Sequence, residues 1–160
     1  MESIRWPEDY LPGMTDNFAS NEVIVEGLSV EDVWALLVNP HRWPEYYANA
    51  SDIRFSNDNL KEGDVFFFRT FGFPVDAQVT ECVPPGREAC ARLAWHGWCG
   101  LGTDRLDVIH AWLIEGLPHN RVRILTQEKP EGRARQSTHP NPMVAGHQDW
   151  LEGIVRALRK

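Results

Sequence analysis

The chain has 160 residues, of which 42% are hydrophobic and 24% charged, and its formal net charge at pH 7 is −7. This length and composition predict one domain, 1–160, with a sizeable core, and they argue against extensive disorder. The negative charge argues against a nucleic-acid partner, which requires a basic surface. The sequence has no apolar run long enough to span a membrane and no apolar signal-peptide core, so we expect a cytoplasmic protein.

The first part of the chain predicts an extended arm, one strand and two short helices. Residues 1–20 are rich in Pro, Asp and Asn and favour the arm. The weak alternation of "NEVIVEGL" (21–28) predicts a strand, and Ser29 is a typical helix N-cap. Pro40 ends the first helix, because the residue before a proline avoids the α region. A second short helix is expected around 41–48.

About six consecutive strands are predicted next, joined by turns that carry Gly, Pro or Asn. Strands connected in this way form an antiparallel sheet. The stretches are "SDIRFS", "GDVFFFRTF", "FPVDAQVTECV", "EACARLAWHGW", "DRLDVIHAWLIE" and "NRVRILTQE".

The last part of the chain returns to a helical period. Asn141 and Pro142 are typical of an N-cap and a first helical position. Apolar residues then repeat along one face of a helix of about five turns. An antiparallel sheet has one face to bury, and one helix cannot fill the whole concave side of a curved sheet. We therefore expect a cavity between sheet and helix.

Cys82, Cys90 and Cys99 are odd in number and lack the spacing of metal sites. They fit free thiols in a reducing compartment. A hairpin turn at 84–87 would place Cys82 and Cys90 nearly opposite each other, so a disulfide between these two remains an alternative.

This order of elements and several local stretches resemble the START-like, helix-grip (SRPBCC) superfamily, and within it the polyketide cyclase/dehydrase-type single-domain proteins. The resemblance covers roughly 21–160 and implies an α+β fold, with a curved antiparallel sheet of about seven strands around a long C-terminal helix. It also implies a hydrophobic ligand cavity, but not one reaction, because fold and function separate readily. The stretches that carry it are "VWALLVNPHRWPEYY" (33–47), "KEGDVFFFRTFGFPVDAQVTECVPPGR" (61–87), "RLAWHGW" (92–98), "HAWLIE" (110–115) and "RILTQEKPEG" (123–132).

The residues expected to line the cavity carry large apolar or aromatic side chains. Those of the helix pair would form a wall or lid at its mouth, although packing on the sheet edge would explain the same rings. Arg69 joins the set only if its strand face points inward, and the neighbouring Phe66 and Phe68 leave the phase of that strand open. The full set is Trp43, Tyr47, Phe67, Arg69, Val79, Trp95, Val108, Trp112, Ile124 and Trp150.

His110 is the most informative polar residue, since it shares a strand face with Val108 and Trp112. A hairpin between the last two strands places Thr126 nearly opposite His110 and Glu128 diagonally beside it. An imidazole next to a carboxylate in an apolar pocket is a workable general acid or base. The pattern favours the other interpretation, in which the two residues are ligand anchors or satisfied polar residues of the core.

We therefore expect the chain to bind a small hydrophobic or aromatic ligand, such as a lipid, polyketide or isoprenoid-like molecule. Two alternatives are a cyclase or dehydrase that uses His110, and a protein-interaction module. The second of these would match the chaperone-ATPase activator branch, whose C-terminal tryptophan-rich pattern is not visible. We expect no cofactor, and no oligomeric state follows from the sequence. We also expect no metal, because the other histidines lack metal-type spacing: His41, His96, His119, His139 and His147.

Overall fold

The computed structural model describes residues 1–10, 18–102, 105–130 and 142–160. These residues form seven strands and three α-helices, which confirms the predicted α+β class. In chain order the elements are β1 (Ala19–Glu26), α1 (Val30–Leu37), α2 (Trp43–Tyr46), β2 (Ala50–Arg54), β3 (Val65–Thr70), β4 (Phe73–Val83), β5 (Cys90–Cys99), β6 (Leu106–Leu117), β7 (Arg121–Pro130) and α3 (Pro142–Leu158).

The seven strands form one antiparallel sheet in the order β1-β7-β6-β5-β4-β3-β2. Strands β2 to β7 follow one another as neighbours, as the turn residues predict. Strand β1 instead pairs with β7 at the far edge, with Val23 opposite Ile124. The first and last strands of the chain are therefore neighbours, β1 and β2 form the two edges, and the sheet curves around α3.

The helix pair forms where the caps and prolines predict. The Ser29 Oγ accepts a hydrogen bond of 3.0 Å from the backbone N–H of Asp32, which fixes the start of α1. Pro40 opens a 3-10 turn that ends at Arg42, and α2 follows directly. The second predicted helix is thus a 3-10 turn joined to four helical residues.

Helix α3 has 17 residues, in agreement with the predicted five turns, and covers the concave face of the sheet. The proposed N-cap Asn141 lies outside the described residues. Trp150, Leu151 and Ile154 are buried on the face towards the sheet. Gly153 lies so close to the Tyr46 carbonyl that any Cβ there would clash with this oxygen. The approach of α3 to α2 therefore depends on the missing side chain.

The N-terminal arm covers the convex face of the sheet. The sequence predicts the arm but not this contact with the sheet. Arg92 donates a hydrogen bond of 2.7 Å to the Ser3 carbonyl, and Arg123 donates one of 2.9 Å to the Glu2 carbonyl. Ile4 packs into a second small core with Cys90, Ala94, Ala111, Leu113 and Leu125. Strand β1 begins at Ala19, within the predicted arm of 1–20.

The thiols of Cys82, Cys90 and Cys99 are free. Cys82 lies opposite Leu93 and Cys90 opposite Glu115, so the register does not bring Cys82 and Cys90 face to face. None of the helices formed by the described residues is long and apolar enough to cross a membrane.

Candidate functional site

Aromatic side chains fill one end of the space between the sheet and α3. Trp43 is fully buried, stacks on Trp95 at 5.3 Å between ring centroids and meets Trp150 edge-on at 5.1 Å. Its indole donates a hydrogen bond of 2.9 Å to the Leu37 carbonyl. This end is packed core, and the structure places there five of the residues expected along the cavity: Trp43, Val79, Trp95, Trp112 and Ile124.

A cavity of about 550 Å³ occupies the other end. Tyr47, Val108 and Trp150 line it, as expected from the sequence, and so do both predicted polar residues, His110 and Glu128. Most of the other lining side chains are apolar or aromatic, and they include Phe68, Phe71, Phe73, Val75, Trp98 and Met143.

Phe67 and Arg69 lie away from this cavity, on the outer face of β3. Phe66 and Phe68 are buried inward, and strict alternation then turns the residues between them outward. The Arg69 guanidinium bonds Asp52 at 3.3 Å and lies 5.9 Å from the ring centroid of Phe67. The structure thus decides the phase that the sequence leaves open.

The mouth of the cavity is formed by the β3–β4 hairpin against α3. Phe71 at its tip has a left-handed backbone, with φ of 51°, and is 45% exposed. Its ring packs directly over Gly146, where a side chain would clash with it. Phe73 and Leu106 are also exposed at this rim.

Three polar side chains meet on the cavity wall: His110 of β6, Glu128 of β7 and His147 of α3. His110 lies directly opposite Glu128, and Trp112 lies opposite Thr126. The predicted register, with Thr126 opposite His110, is therefore wrong by two residues. The reason is a turn centred one residue later than expected, around His119, where His119 and Asn120 adopt φ of 65° and 53°.

The two ring nitrogens of His110 have different partners. Its Nε2 lies 2.8 Å from the Thr126 hydroxyl, which is also 3.3 Å from the Ala111 carbonyl. Its Nδ1 faces Glu128 Oε1 at 3.5 Å. The hydroxyl can accept from Nε2–H while it donates to Ala111, or it can donate to Nε2 while Nδ1–H points at Glu128.

Glu128 contacts both imidazoles. Its second oxygen lies 3.4 Å from His147 Nε2, and one ligand atom from each of the three residues lies within 4.8 Å of the others. The rings of His110 and His147 stack with centroids 4.6 Å apart, and His110 also stacks on Trp112 at 5.3 Å.

Burial determines the charge of His110. Desolvation lowers the pKa of His110 to about 3, and the neighbouring His147 acts in the same direction against the opposing effect of Glu128. Desolvation alone would raise the pKa of Glu128, but the two imidazoles outweigh it and lower this pKa. At neutral pH the cluster therefore holds a neutral His110 beside an ionised carboxylate.

The helical period of α3 puts His147 on the same face as Met143, Trp150 and Leu151, but nothing in the sequence connects it with His110 and Glu128. The signal is its position three residues before Trp150, which brings both side chains to the same helical face. Spacing along the chain does not indicate this cluster, because its members come from three separate elements. His139, another of the histidines without metal-type spacing, lies outside the described residues.

Comparison with known proteins supports the fold and gives one extensive similarity. Hypothetical protein jhp0584 from Helicobacter pylori has a crystal structure with a TM-score of 0.91, 46% identity, and coverage of 98% of this chain and 96% of its own. DynU16, from the dynemicin biosynthetic locus, has a TM-score of 0.66 at 18% identity, over 91% of this chain and 48% of its own. Ara h 8.0201 has a TM-score of 0.62 at 12% identity, over 90% of this chain and 100% of its own.

The two more distant similarities show a helix-grip fold and nothing finer. No protein-family model matches the chain, and the curated proteins contain no match.

Proposed function

The chain belongs to the same family as hypothetical protein jhp0584 from Helicobacter pylori, and we propose that it binds a small hydrophobic or aromatic molecule in the cavity between β3–β7 and α3. The observation that carries this proposal is a cavity of about 550 Å³ with aromatic walls and one polar cluster. Ligand sites commonly measure roughly 300–1,000 Å³ and combine apolar walls with a few polar groups that orient the ligand.

The walls and the polar cluster would have different roles. Phe68, Val75, Val108 and Trp150 would desolvate the apolar part of the ligand. Burying about 200 Å² of apolar surface contributes roughly 5 kcal/mol before ordering costs are subtracted. The imidazole and carboxylate groups lie on one wall, so they favour a ligand with a single polar end. A lipid, polyketide or isoprenoid-like molecule has this character.

Filling the cavity from one wall should weaken binding without affecting the fold. We expect Val108→Phe to weaken binding of the neutral fluorescent probe N-phenyl-1-naphthylamine by about tenfold or more, which is 1.4 kcal/mol. Val65→Phe is the matched control, because Val65 is 60% exposed and does not line the cavity. Native mass spectrometry of protein purified without added ligand would identify a co-purifying molecule. Equal probe affinity in the two variants, together with the bare mass of the chain, would contradict ligand binding.

A second candidate is a cyclase or dehydrase-type reaction with His110 as general acid or base. It is favoured by one observation: the ring nitrogen that Thr126 does not engage faces an ionised carboxylate on the cavity wall. With a substrate in hand, His110→Ala should lower kcat by about 10²–10⁴-fold and remove one limb of the pH–rate profile. His96→Gln, which removes an imidazole outside the cavity, should leave both unchanged. Undiminished turnover by His110→Ala would reject this role for His110.

A further inference from the structure

We propose that His110, Glu128 and His147 bind one divalent first-row transition-metal ion of the Zn²⁺ or Fe²⁺ kind on the cavity wall. This site is additional to the proposed apolar ligand and does not depend on it. Two imidazoles and one carboxylate are a common protein ligand set for such ions, and three ligands leave at least one coordination position open. All three residues line the cavity, so the open position faces the space available to a ligand.

The ring nitrogens of His110 are positioned for a metal ion. The Thr126 hydroxyl engages Nε2 at 2.8 Å, so Nδ1 is the nitrogen that faces an oxygen of Glu128, at 3.5 Å. When Nε2 carries the ring proton, Nδ1 and the carboxylate oxygen are both acceptors, and a metal ion between them satisfies both lone pairs at once.

The carboxylate of Glu128 has little compensation for its charge among the described residues. Its side chain is 16% exposed, and the two imidazoles are its only ion-pair partners among the residues that the structure describes. The contacts of 3.4 and 3.5 Å are longer than ordinary hydrogen bonds, which measure about 2.7–3.2 Å. A largely buried carboxylate without close donors is costly, and a divalent cation would compensate its charge.

The distances between the ligand atoms are close to those around a tetrahedral metal ion. A tetrahedral ion with bonds of about 2.0–2.1 Å holds its ligands roughly 3.3 Å apart. The two contacts of Glu128 come close to this value, and the three ligand atoms lie within 4.8 Å of one another. Since the contacts use different oxygens, an ion would bind both oxygens or one oxygen after a small rotation of the carboxylate.

The surroundings of His110 would hold its ring in place around an ion. Metal-binding histidines usually donate their second ring N–H to a fixed acceptor, which orients the ring. With Nδ1 bound to an ion, Nε2–H would be donated to the Thr126 hydroxyl, which in turn can donate to the Ala111 carbonyl. Stacking on Trp112 further restricts the ring. This arrangement orients Nδ1 before any ion arrives.

The test uses the full chain without a histidine tag, stripped with a chelator and titrated with Zn²⁺ by calorimetry. We expect one ion per chain, and X-ray absorption at the zinc edge should report two imidazole ligands and no sulfur. Glu128→Gln, which keeps the side-chain shape, and His147→Gln should each weaken binding by about 100-fold or more. Thr126→Val should weaken it by about 10–100-fold, since it removes only the supporting hydroxyl. Mg²⁺, which prefers oxygen ligands, should not compete.

His96→Gln is the matched control, because His96 binds Asp107 outside the cavity and should retain wild-type affinity for Zn²⁺. The proposal is overturned if the wild type binds no stoichiometric Zn²⁺, or if Glu128→Gln and His147→Gln bind as tightly as wild type. A zinc edge dominated by sulfur would also overturn it, since the ion would then lie on cysteines. The absorption measurement needs no variant, so it decides the question even where a substitution perturbs folding.

Discussion

Replacing Trp43 with alanine is expected to lower the free energy of unfolding by about 3–5 kcal/mol. Trp43 is fully buried and contacts aromatic rings from the sheet and from α3, including Phe68, Trp95 and Trp150. The substitution removes the largest side chain at this point and leaves a void that these rings cannot close. It also leaves the Leu37 carbonyl without the hydrogen bond of the indole. Because whole domains have only about 5–15 kcal/mol of stability, this loss would be a large fraction of the total.

Denaturant unfolding followed by circular dichroism measures this effect. Trp43→Phe keeps a ring but not the bond to Leu37, so its loss should be clearly smaller. Trp98→Ala is the control for removing any tryptophan, because Trp98 is only partly buried. If Trp43→Ala were no less stable than Trp98→Ala, the packed aromatic end of the domain would not be the main source of its stability.

Gly153→Ala is expected to destabilise the protein by about 1–3 kcal/mol, although alanine is intrinsically the better helix former. In an isolated helix the same change would stabilise by about 1 kcal/mol. Here the new Cβ would clash with the backbone carbonyl of Tyr46, which belongs to α2 and cannot rotate away. Relief requires α3 to move away from α2, and this would displace Trp150 and His147 together.

The matched control is in the same helix. Gly146→Ala also creates a clash, but with the ring of Phe71, a half-exposed side chain at a hairpin tip that can swing outward. Its unfolding free energy should stay within about 1 kcal/mol of wild type. Chemical denaturation of the two variants side by side gives the comparison. Equal stabilities would mean that α3 can move away from α2 without lowering the free energy of unfolding.

Much of the fold could be predicted because its signals are local. Ser29 and Pro40 mark the ends of α1, and the period of α3 is visible from Pro142 onward. The arm over the convex face could not be predicted, since Ile4 and Trp6, which pack into the small core there, are isolated apolar residues among polar ones and show no period. Its burial depends on Arg92 and Arg123 of distant strands. Contacts between segments so far apart leave no period in the sequence.

The cavity was harder to place than the sheet. Alternation tells which face of a strand a residue occupies, but it does not tell whether a helix covers that point of the face. Trp95 and Val108 share the concave face, yet the first lies under Trp43 and the second borders the cavity.

The arrangement of the polar cluster could be predicted only in part, because it also depends on contacts between elements. His110 and Glu128 were predicted as neighbours because they belong to adjacent strands. Their exact register depends on left-handed residues in the turn, which no alternation pattern indicates. His147 joins them only through the docking of α3, and that position depends on Gly153.

The contact of Phe71 with Gly146 has a consequence for how molecules would exchange with the interior. The ring of Phe71 at the hairpin tip rests on the helix at Gly146, whereas the deeper walls belong to paired strands. Residence time would therefore be controlled at the tip of β3–β4 and equilibrium affinity by the deeper walls. Evolution or engineering could then alter how fast a guest leaves without changing how tightly it is held.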